Sequence, residues 1–499
     1  MHSARARLLA APWGLFAVLT GQGFLSARLM HLNSAFLDEA TYIYAGHQQW
    51  NHWLHGAPID QYQTYFSGAP VLYPPLAAVA DSLGGLTGAR ILSLLFMLGA
   101  TTLLYVSARL LYGTLTATLA AAFFVSLGST QFLGAFATYD AMAIFLLAVA
   151  ATCAIHAAKR PESTRLWLLG AVAMTLANAT KYSSILWDPI VITLAGLCAY
   201  KALGLKAAVR RSAGFAAVSL ALSGILLALG GALYVVGINY TTFQRADGTE
   251  TAMQVLGDAW DWIGVLIAVA VVGVIAAGRD RVNRIVLAVL LFAGLLAPLN
   301  QARIHTSISL QKHVDFGAWF MAVAAAYGSA WLWRVLKDRR AARWAAAVLA
   351  AGAVALVFDA SASYAEVFYA NWPNSARLDT ALAPLIHPGG GQYLAEDPDV
   401  IEYYMGDRAT WQQWDDTWYF TYTDPATGER LSGGTAMLTA IREGYFRLII
   451  LDFGATPALD HQIVGALDAS GRYRYLEDEP YDGRERGQYT IWTLEGGAS

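Results

Sequence analysis

The sequence predicts an α-helical polytopic membrane protein of about eleven transmembrane helices, followed by a soluble α/β domain. Three observations predict it. Of 499 residues, 56% are hydrophobic and only 14% charged, whereas soluble domains carry about 25% charged residues. Apolar runs near the ~20 residues needed to cross a bilayer recur from Leu8 to about Asp359. The charge balance then reverses: residues 1–360 hold 24 Lys and Arg against 15 Asp and Glu, while 361–499 hold 9 against 21. A soluble globular enzyme and a disordered chain are excluded. With a net charge of only -3, so is a nucleic-acid partner.

Spans are expected at about 8–30, 87–108, 114–133, 140–157, 166–180, 184–203, 213–236, 261–278, 285–299, 315–333 and 344–360. The first follows Arg5 and Arg7 as a signal peptide would. It runs on to about Met30 without a small-residue cleavage site, so it is expected to stay as a helix. Cys153 and Cys198 both sit in apolar segments, which leaves no disulfide framework and no cysteine zinc site.

Positive residues decide orientation. Clusters fall at alternate connections: Arg5/Arg7, Arg109, Lys159/Arg160/Arg165, Lys201/Lys206/Arg210/Arg211, Arg279/Arg281/Arg284 and Arg334/Lys337/Arg339/Arg340/Arg343. All can be cytoplasmic at once only with the N-terminus inside. An odd number of spans then places the acidic tail outside. The expected division is a transmembrane region, 1–360, whose first outer loop, 31–86, carries interfacial helices, and an extracytoplasmic α/β domain, 361–499. In that tail QYLAE, RLIILDF and QYTIWTL look like strands, and PDVIEYYM, GTAMLTAIREGYF and TPALDHQIVGALDA like helices.

Several residues resist a purely structural account. Asp38 and Glu39 follow the first span directly, where adjacent carboxylates can serve as a general base, ligate a cation or simply be solvated. Asp140 opens the fourth span, where a carboxylate faces a polar cavity, caps the helix, or does both. Lys181 is a cation on the outer side, against the positive-inside trend; it can clamp a phosphate or snorkel to headgroups. Arg303, His305, Lys312 and His313 cluster in one outer connection, suited to a donor phosphate or to anionic lipids. In the tail, Trp411, Trp414 and Trp418 crowd the run WQQWDDTWYFTYT, where aromatic faces can stack on sugars or pack a core. Asp38 and Asp140 are the candidate ligands for a divalent cation, Mg2+, Mn2+ or Ca2+.

Outer-face carboxylates, outer-face cations and an apolar wall are the equipment for moving a sugar off a lipid phosphate. In this light the chain resembles the GT-C glycosyltransferases, especially the protein O-mannosyltransferase and aminoarabinose transferase type. The run of Asp38, Glu39 and Tyr42 resembles that family's first-loop D-E-x-x-Y motif, and Tyr73-Pro74-Pro75-Leu76 its later x-P-P-L element. Asp140 matches the place of a second acidic residue, and Thr180-Lys181-Tyr182 that of a basic one. The chain departs at Thr41, where many relatives carry Arg, and at Tyr73, where aminoarabinose transferases often carry Lys.

The resemblance implies inverting transfer from a polyprenyl-phosphate sugar to a glycan, lipid or protein acceptor outside the cytoplasmic membrane. Asp38, Glu39 and Asp140 would be catalytic, and Tyr42 and Tyr73 would help to hold substrate. Membrane lipids surround the spans. Two other classes share some of these features: a transporter or flippase of a lipid-linked sugar, and a non-catalytic assembly subunit whose tail binds glycan. A flippase would not need the carboxylate pair, and an assembly subunit would tolerate loss of Asp38.

Overall fold

The computed structural model describes residues 12–158, 164–336, 340–482 and 486–495. Of the basic residues used above for orientation, Arg5, Arg7, Lys159, Arg160, Lys337 and Arg339 lie outside the described residues, as do the side chains of Arg340 and Arg343. Two compact units divide the chain: residues 1–31 with 61–367, and residues 32–60 with 368–499. The boundary expected at 360 thus falls slightly later. The stretch 32–60, expected to belong to the membrane region as part of its first outer loop, groups instead with the tail.

The first unit is helical. Its main helices are Trp13–Ala27, Tyr73–Tyr112, Thr114–Ser126, Tyr139–Ala158, Thr164–Thr180, Asp188–Leu203, Leu205–Gly230, Ala252–Ala276, Arg281–Arg303, Leu310–Val335 and Arg340–Tyr369. Each expected span meets one of them. Among the described residues, seven stretches are both long and apolar enough to cross a membrane, one of them Tyr182–Leu203, which joins a 3-10 turn to Asp188–Leu203; a count of eleven crossings is not shown by length and composition. Trp13–Ala27 and Thr164–Thr180 have only 15 and 17 residues, and Leu310–Val335 opens on Lys312, His313 and Asp315.

Local chemistry explains the breaks. Pro74 and Pro75 occupy the first turn of Tyr73–Tyr112, where a missing N–H costs nothing. Gly84 and Gly85 leave helical geometry inside it, and the positive φ of Gly85 (59°) would strain any other residue. Helix Leu310–Val335 is buried along almost its whole first half. It meets Ala252–Ala276 backbone to backbone, because a Cβ on Gly273 would collide with the Ala324 carbonyl and one on Gly328 would press on Gly273.

The second unit is a mixed sheet with helices on both faces. Strands β1 (Gln392–Ala395), β2 (Trp414–Asp415), β5 (Phe446–Leu451), β6 (Tyr473–Pro480) and β7 (Gln488–Leu494) lie in the order β2-β1-β5-β7-β6. β1 runs parallel to β2 and β5, whereas β7 is antiparallel to β5 and β6. A separate hairpin joins β3 (Thr421–Thr423) and β4 (Arg430–Ser432). Successive side chains alternate between faces. Tyr393, Ala395, Leu448 and Ile450 enter one core with Leu378 and Ile401, while Leu394, Ile449 and Leu451 enter another with Met437 and Ile463. The three expected strands are all present. The sequence did not disclose β6, whose charged run YRYLEDEP suits a sheet edge.

Candidate functional site

In the first unit the site is built around Asp140, fully buried at the start of helix Tyr139–Ala158. Thr138, two residues earlier, donates its hydroxyl to Asp140 Oδ2 at 2.7 Å. Lys181 Nζ lies 3.4 Å from Asp140 Oδ1 and 4.6 Å from the centre of the Tyr139 ring. Its side chain is only 6% exposed, so the pair is desolvated. A charge in such a place persists only when opposed by another.

Lys181 is where it is because the chain breaks there. Helix Thr164–Thr180 ends, Lys181 is extended (φ -143°, ψ 112°), and a 3-10 turn, Tyr182–Trp187, follows. The segment Ser67-Gly68-Ala69 straps this break from outside. Ala69 N–H donates to Ala179 O at 2.7 Å and Tyr182 N–H to Ser67 O at 2.9 Å. Gly68 lies against the Thr180 carbonyl, where a Cβ would collide. Downstream, the wholly buried Trp187 stacks on Phe316 at 5.0 Å and donates to Ala293 O at 3.0 Å. The turn carrying Lys181 is thereby tied to the helix carrying Lys312.

Lys312 and His313 open that helix, and the Lys312 ammonium acts on Asp140 together with that of Lys181. Lys312 is buried, with Nζ 5.8 Å from the centre of the Phe136 ring. His313 Nε2 is a buried atom without a hydrogen-bond partner. Arg245, exposed in the loop before Ala252–Ala276, also acts on His313. Nothing local in the sequence singles out Arg245. Asp315 is a second residue missed: fully buried, it accepts from Ser129 Oγ at 2.6 Å and Thr130 Oγ1 at 2.9 Å, and its Oδ2 has no hydrogen-bond partner.

Three expected residues have other duties in this unit. Arg303 is exposed and donates to Asn300 of its own helix at 3.1 Å. His305, also exposed, takes part in clasping the 248–250 loop: its Nδ1 lies 2.9 Å from Glu250 O, and its carbonyl accepts Glu250 N–H. Tyr73, expected to contact substrate, is fully buried with its hydroxyl 3.3 Å from Ser93 Oγ, a packing position.

In the second unit, Asp38 and Glu39 begin helix Leu37–His55. Glu39 is fully buried, and its Oε2 accepts the Phe36 N–H at 3.1 Å, capping the helix it belongs to. Asp38 is half-exposed, and Tyr42 is buried a turn later. Thr41, the position where Arg was the family pattern, donates to Asp399 Oδ1 at 2.8 Å. Burial pushes Asp399 up to about 6, against the Thr41 hydrogen bond and with help from the charges of Asp416 and Asp38. Glu402, on the same tail helix, is raised well above its ordinary value by burial and then by Asp399, Asp60 and Asp416. Asp399 was invisible in the sequence, 358 positions from its partner.

The tail tryptophans separate. Trp414 is core: it is 7% exposed and lies 5.1 Å from the Tyr393 ring, so its expected substrate contact gives way to packing. Trp418 is 54% exposed. Trp411 lines a cleft. Elsewhere in this unit Glu396, at the carboxyl end of β1, accepts backbone N–H groups from Asp452, Gly454 and Thr456. Burial works against its charge, but the Asp452 side chain and these backbone groups outweigh it and hold Glu396 below its ordinary value. Burial, then the Glu396 carboxylate, pushes Asp452 up to about 8 and Asp460 to about 7.

A divalent cation needs several converging ligands. Among the described residues no three His, Cys, Asp or Glu side chains form a set that could hold a metal ion. Of the Asp140 carboxylate, Oδ2 accepts from Thr138, while Oδ1 is ion-paired with Lys181 at 3.4 Å without a hydrogen bond. Asp38 and Asp140 belong to different units, and their expected metal role stays a proposal.

No protein-family model matches the sequence, and no curated protein does. Solved structures do. The aminoarabinose transferase ArnT of Cupriavidus metallidurans, bound to undecaprenyl phosphate, superposes with a TM-score of 0.58 at 14% identity, covering 97% of this chain and 98% of its own. The oligosaccharyltransferase AglB of Archaeoglobus fulgidus, in complex with an inhibitory peptide and a dolichol-phosphate, gives 0.58 at 11% identity, covering 97% of this chain and 75% of its own. The same oligosaccharyltransferase with Zn and sulfate gives 0.56 at 14%, covering 95% and 72%. A match over nearly the whole chain, spanning both the helices and the tail, shows that this protein has the GT-C fold of membrane glycosyltransferases.

Proposed function

We propose that the protein is a glycosyltransferase that moves a sugar from a polyprenyl-phosphate donor to a cell-envelope acceptor, whether polysaccharide, lipid or protein. The reaction takes place at the outer face of the cytoplasmic membrane, with inversion at the anomeric carbon. The observation that carries this reading is the buried Asp140–Lys181 pair with Lys312 and His313 around it. Two dry ammonium groups, those of Lys181 and Lys312, beside apolar helices suit a lipid phosphate. Two proteins of the same fold, ArnT and AglB, have been solved with undecaprenyl phosphate and a dolichol-phosphate respectively.

The leaving group of this reaction is a phosphate, and negative charge grows on it as the glycosidic bond breaks. Lys181 and Lys312 oppose that charge in a desolvated setting, where such contacts count most. Asp140 holds the Lys181 ammonium in place and is a positioning residue. The acceptor hydroxyl is a weak nucleophile, and Asp38 takes its proton as the new bond forms. Thr41 and Asp399 brace the helix that presents Asp38.

The test uses purified full-length protein, a polyprenyl-phosphate sugar extract and an envelope-glycan acceptor fraction, with transfer followed directly. Asp38→Asn keeps the shape and loses the base, so turnover should fall by ~10²–10⁴ while donor binding persists. Near-wild-type transfer by both Asp38→Asn and Glu39→Gln would sink the transferase reading in favour of lipid-linked sugar transport.

A further inference from the structure

A cleft of about 730 Å³ lies wholly within the second unit, between helix Leu37–His55 and the tail. Tyr44 and Gln48 form one wall; Tyr403, Tyr404 and Trp411 form much of the other. The volume is in the usual range for small-molecule sites, ~300–1,000 Å³. We propose that this cleft binds a neutral oligosaccharide and is the acceptor subsite of the transfer proposed above, on which that second clause rests.

The lining selects the chemistry. The lining holds no Lys or Arg, and its one base, His47, is matched by one carboxylate, Asp407, so it is not built as an anion site. The aliphatic share is small, Ala57 and Pro58, which does not suit a lipid tail. Four aromatic side chains offer flat faces to the axial C–H groups of sugar rings. Tyr403 and Tyr404 meet edge-on at 4.7 Å, and Tyr404 Oη is fixed by the Ala35 N–H at 2.9 Å.

Two polar groups in this wall are left over. Gln48 is 7% exposed, and although it faces the Tyr44 hydroxyl, neither atom of its amide makes a hydrogen bond of normal geometry. The buried indole N–H of Trp411 has no acceptor. Unmet polar groups at such depth are costly, and folded chains seldom leave them so. An amide offers one donor face and one acceptor, and the indole a second donor. Vicinal hydroxyls of a sugar both donate and accept, so one ring can meet all three. Gly406 permits the close approach, since a Cβ there would press on the Tyr44 ring. Gln48 lies ten residues beyond Asp38 on one helix, about 15 Å at 1.5 Å per residue. An oligosaccharide seated here can extend its end toward the base.

The experiment is binding rather than turnover, so its failure is separate from failure of the transferase reading. Full-length protein in detergent is titrated with neutral trisaccharides of glucose, galactose, mannose and arabinose in α and β linkages, followed by saturation-transfer NMR. At least one should bind. Gln48→Ala and Trp411→Ala should each weaken it tenfold or more, with the thermal midpoint and the affinity for undecaprenyl phosphate unchanged. If either variant melts early, the exposed rim residues Asn51→Ala and Gln412→Ala replace it, with several-fold weakening expected. The proposal is overturned if no trisaccharide binds the wild type, or if binding survives both Gln48→Ala and Trp411→Ala. It is equally overturned if an unglycosylated peptide binds the cleft and no sugar displaces it.

Discussion

Lys181 Nζ stands 3.4 Å from Asp140 Oδ1 with both side chains out of water, and the rest of the first-unit site is arranged around that pair. Removing one member strands the other. Asp140→Asn or Lys181→Met alone should destabilise the protein by ~3–5 kcal/mol. The double variant should recover much of the lost thermal midpoint but none of the affinity for undecaprenyl phosphate. Additive stability losses in this cycle would mean that the two charges do not support each other.

Gly68 touches no substrate in this reading, yet it sets the position of Lys181. Gly68→Ala would push the strap off the Thr180 carbonyl and move the extended residue beside it. Affinity for undecaprenyl phosphate should fall roughly tenfold, about 1.4 kcal/mol, while Ser67→Ala, which keeps the accepting backbone carbonyl, should leave it unchanged. Equal affinities for Gly68→Ala and wild type would remove the strap from the account.

Asp38 and Glu39 are neighbours with different work. Glu39→Gln loses a charged cap, so the expected cost is ~0.5–2 kcal/mol of stability with turnover kept within a fewfold. Asp38→Asn should do the reverse, losing turnover while the melt is preserved. Measuring both quantities on both variants distinguishes them; a Glu39→Gln enzyme that is stable but inactive would exchange the assignment.

The carboxyl cluster of the second unit makes stability depend on pH. Asp452 and Asp460 hold their protons up to about 8 and 7 in the folded protein, whereas the unfolded chain releases them near 4. Between those limits the folded state binds more protons, so their contribution is full below about 4 and is lost as pH rises to 8. Glu396 is held below its ordinary value, so its contribution disappears as pH falls. The thermal midpoint should therefore peak in mild acid and decline toward pH 8. Asp452→Asn should flatten the alkaline side, and an unchanged profile would remove the cluster from the explanation.

Helices were legible in the sequence because apolar length leaves few alternatives, and β1, β5 and β7 because short apolar runs between turn residues mark buried strands. The Asp140–Lys181 pair was legible in part: each residue was an anomaly at a span end, though only the fold showed that they meet. The bases of 303–313 divided, since Lys312 and His313 turn inward at a helix start while Arg303 and His305 serve the loop. Trp414 and Tyr73 were misread for a common reason: an aromatic that packs and one that binds a sugar look alike until burial is known. The Thr41–Asp399 hydrogen bond and the cleft shared by Gln48 and Trp411 were beyond reach, because nothing local marks a relation made across more than 300 residues.

That long-range contact bears on how the protein is made. The helix carrying Asp38 leaves the ribosome early, while Asp399, its partner through Thr41, is translated 358 residues later. At ~5–20 residues per second the interval is roughly 20–70 s. Throughout it, the helix lacks the tail residues that face Tyr44 and Gln48 in the folded protein. A premature stop before the tail would leave Thr41 without Asp399, so the seat of this helix is complete only once the last domain has been made.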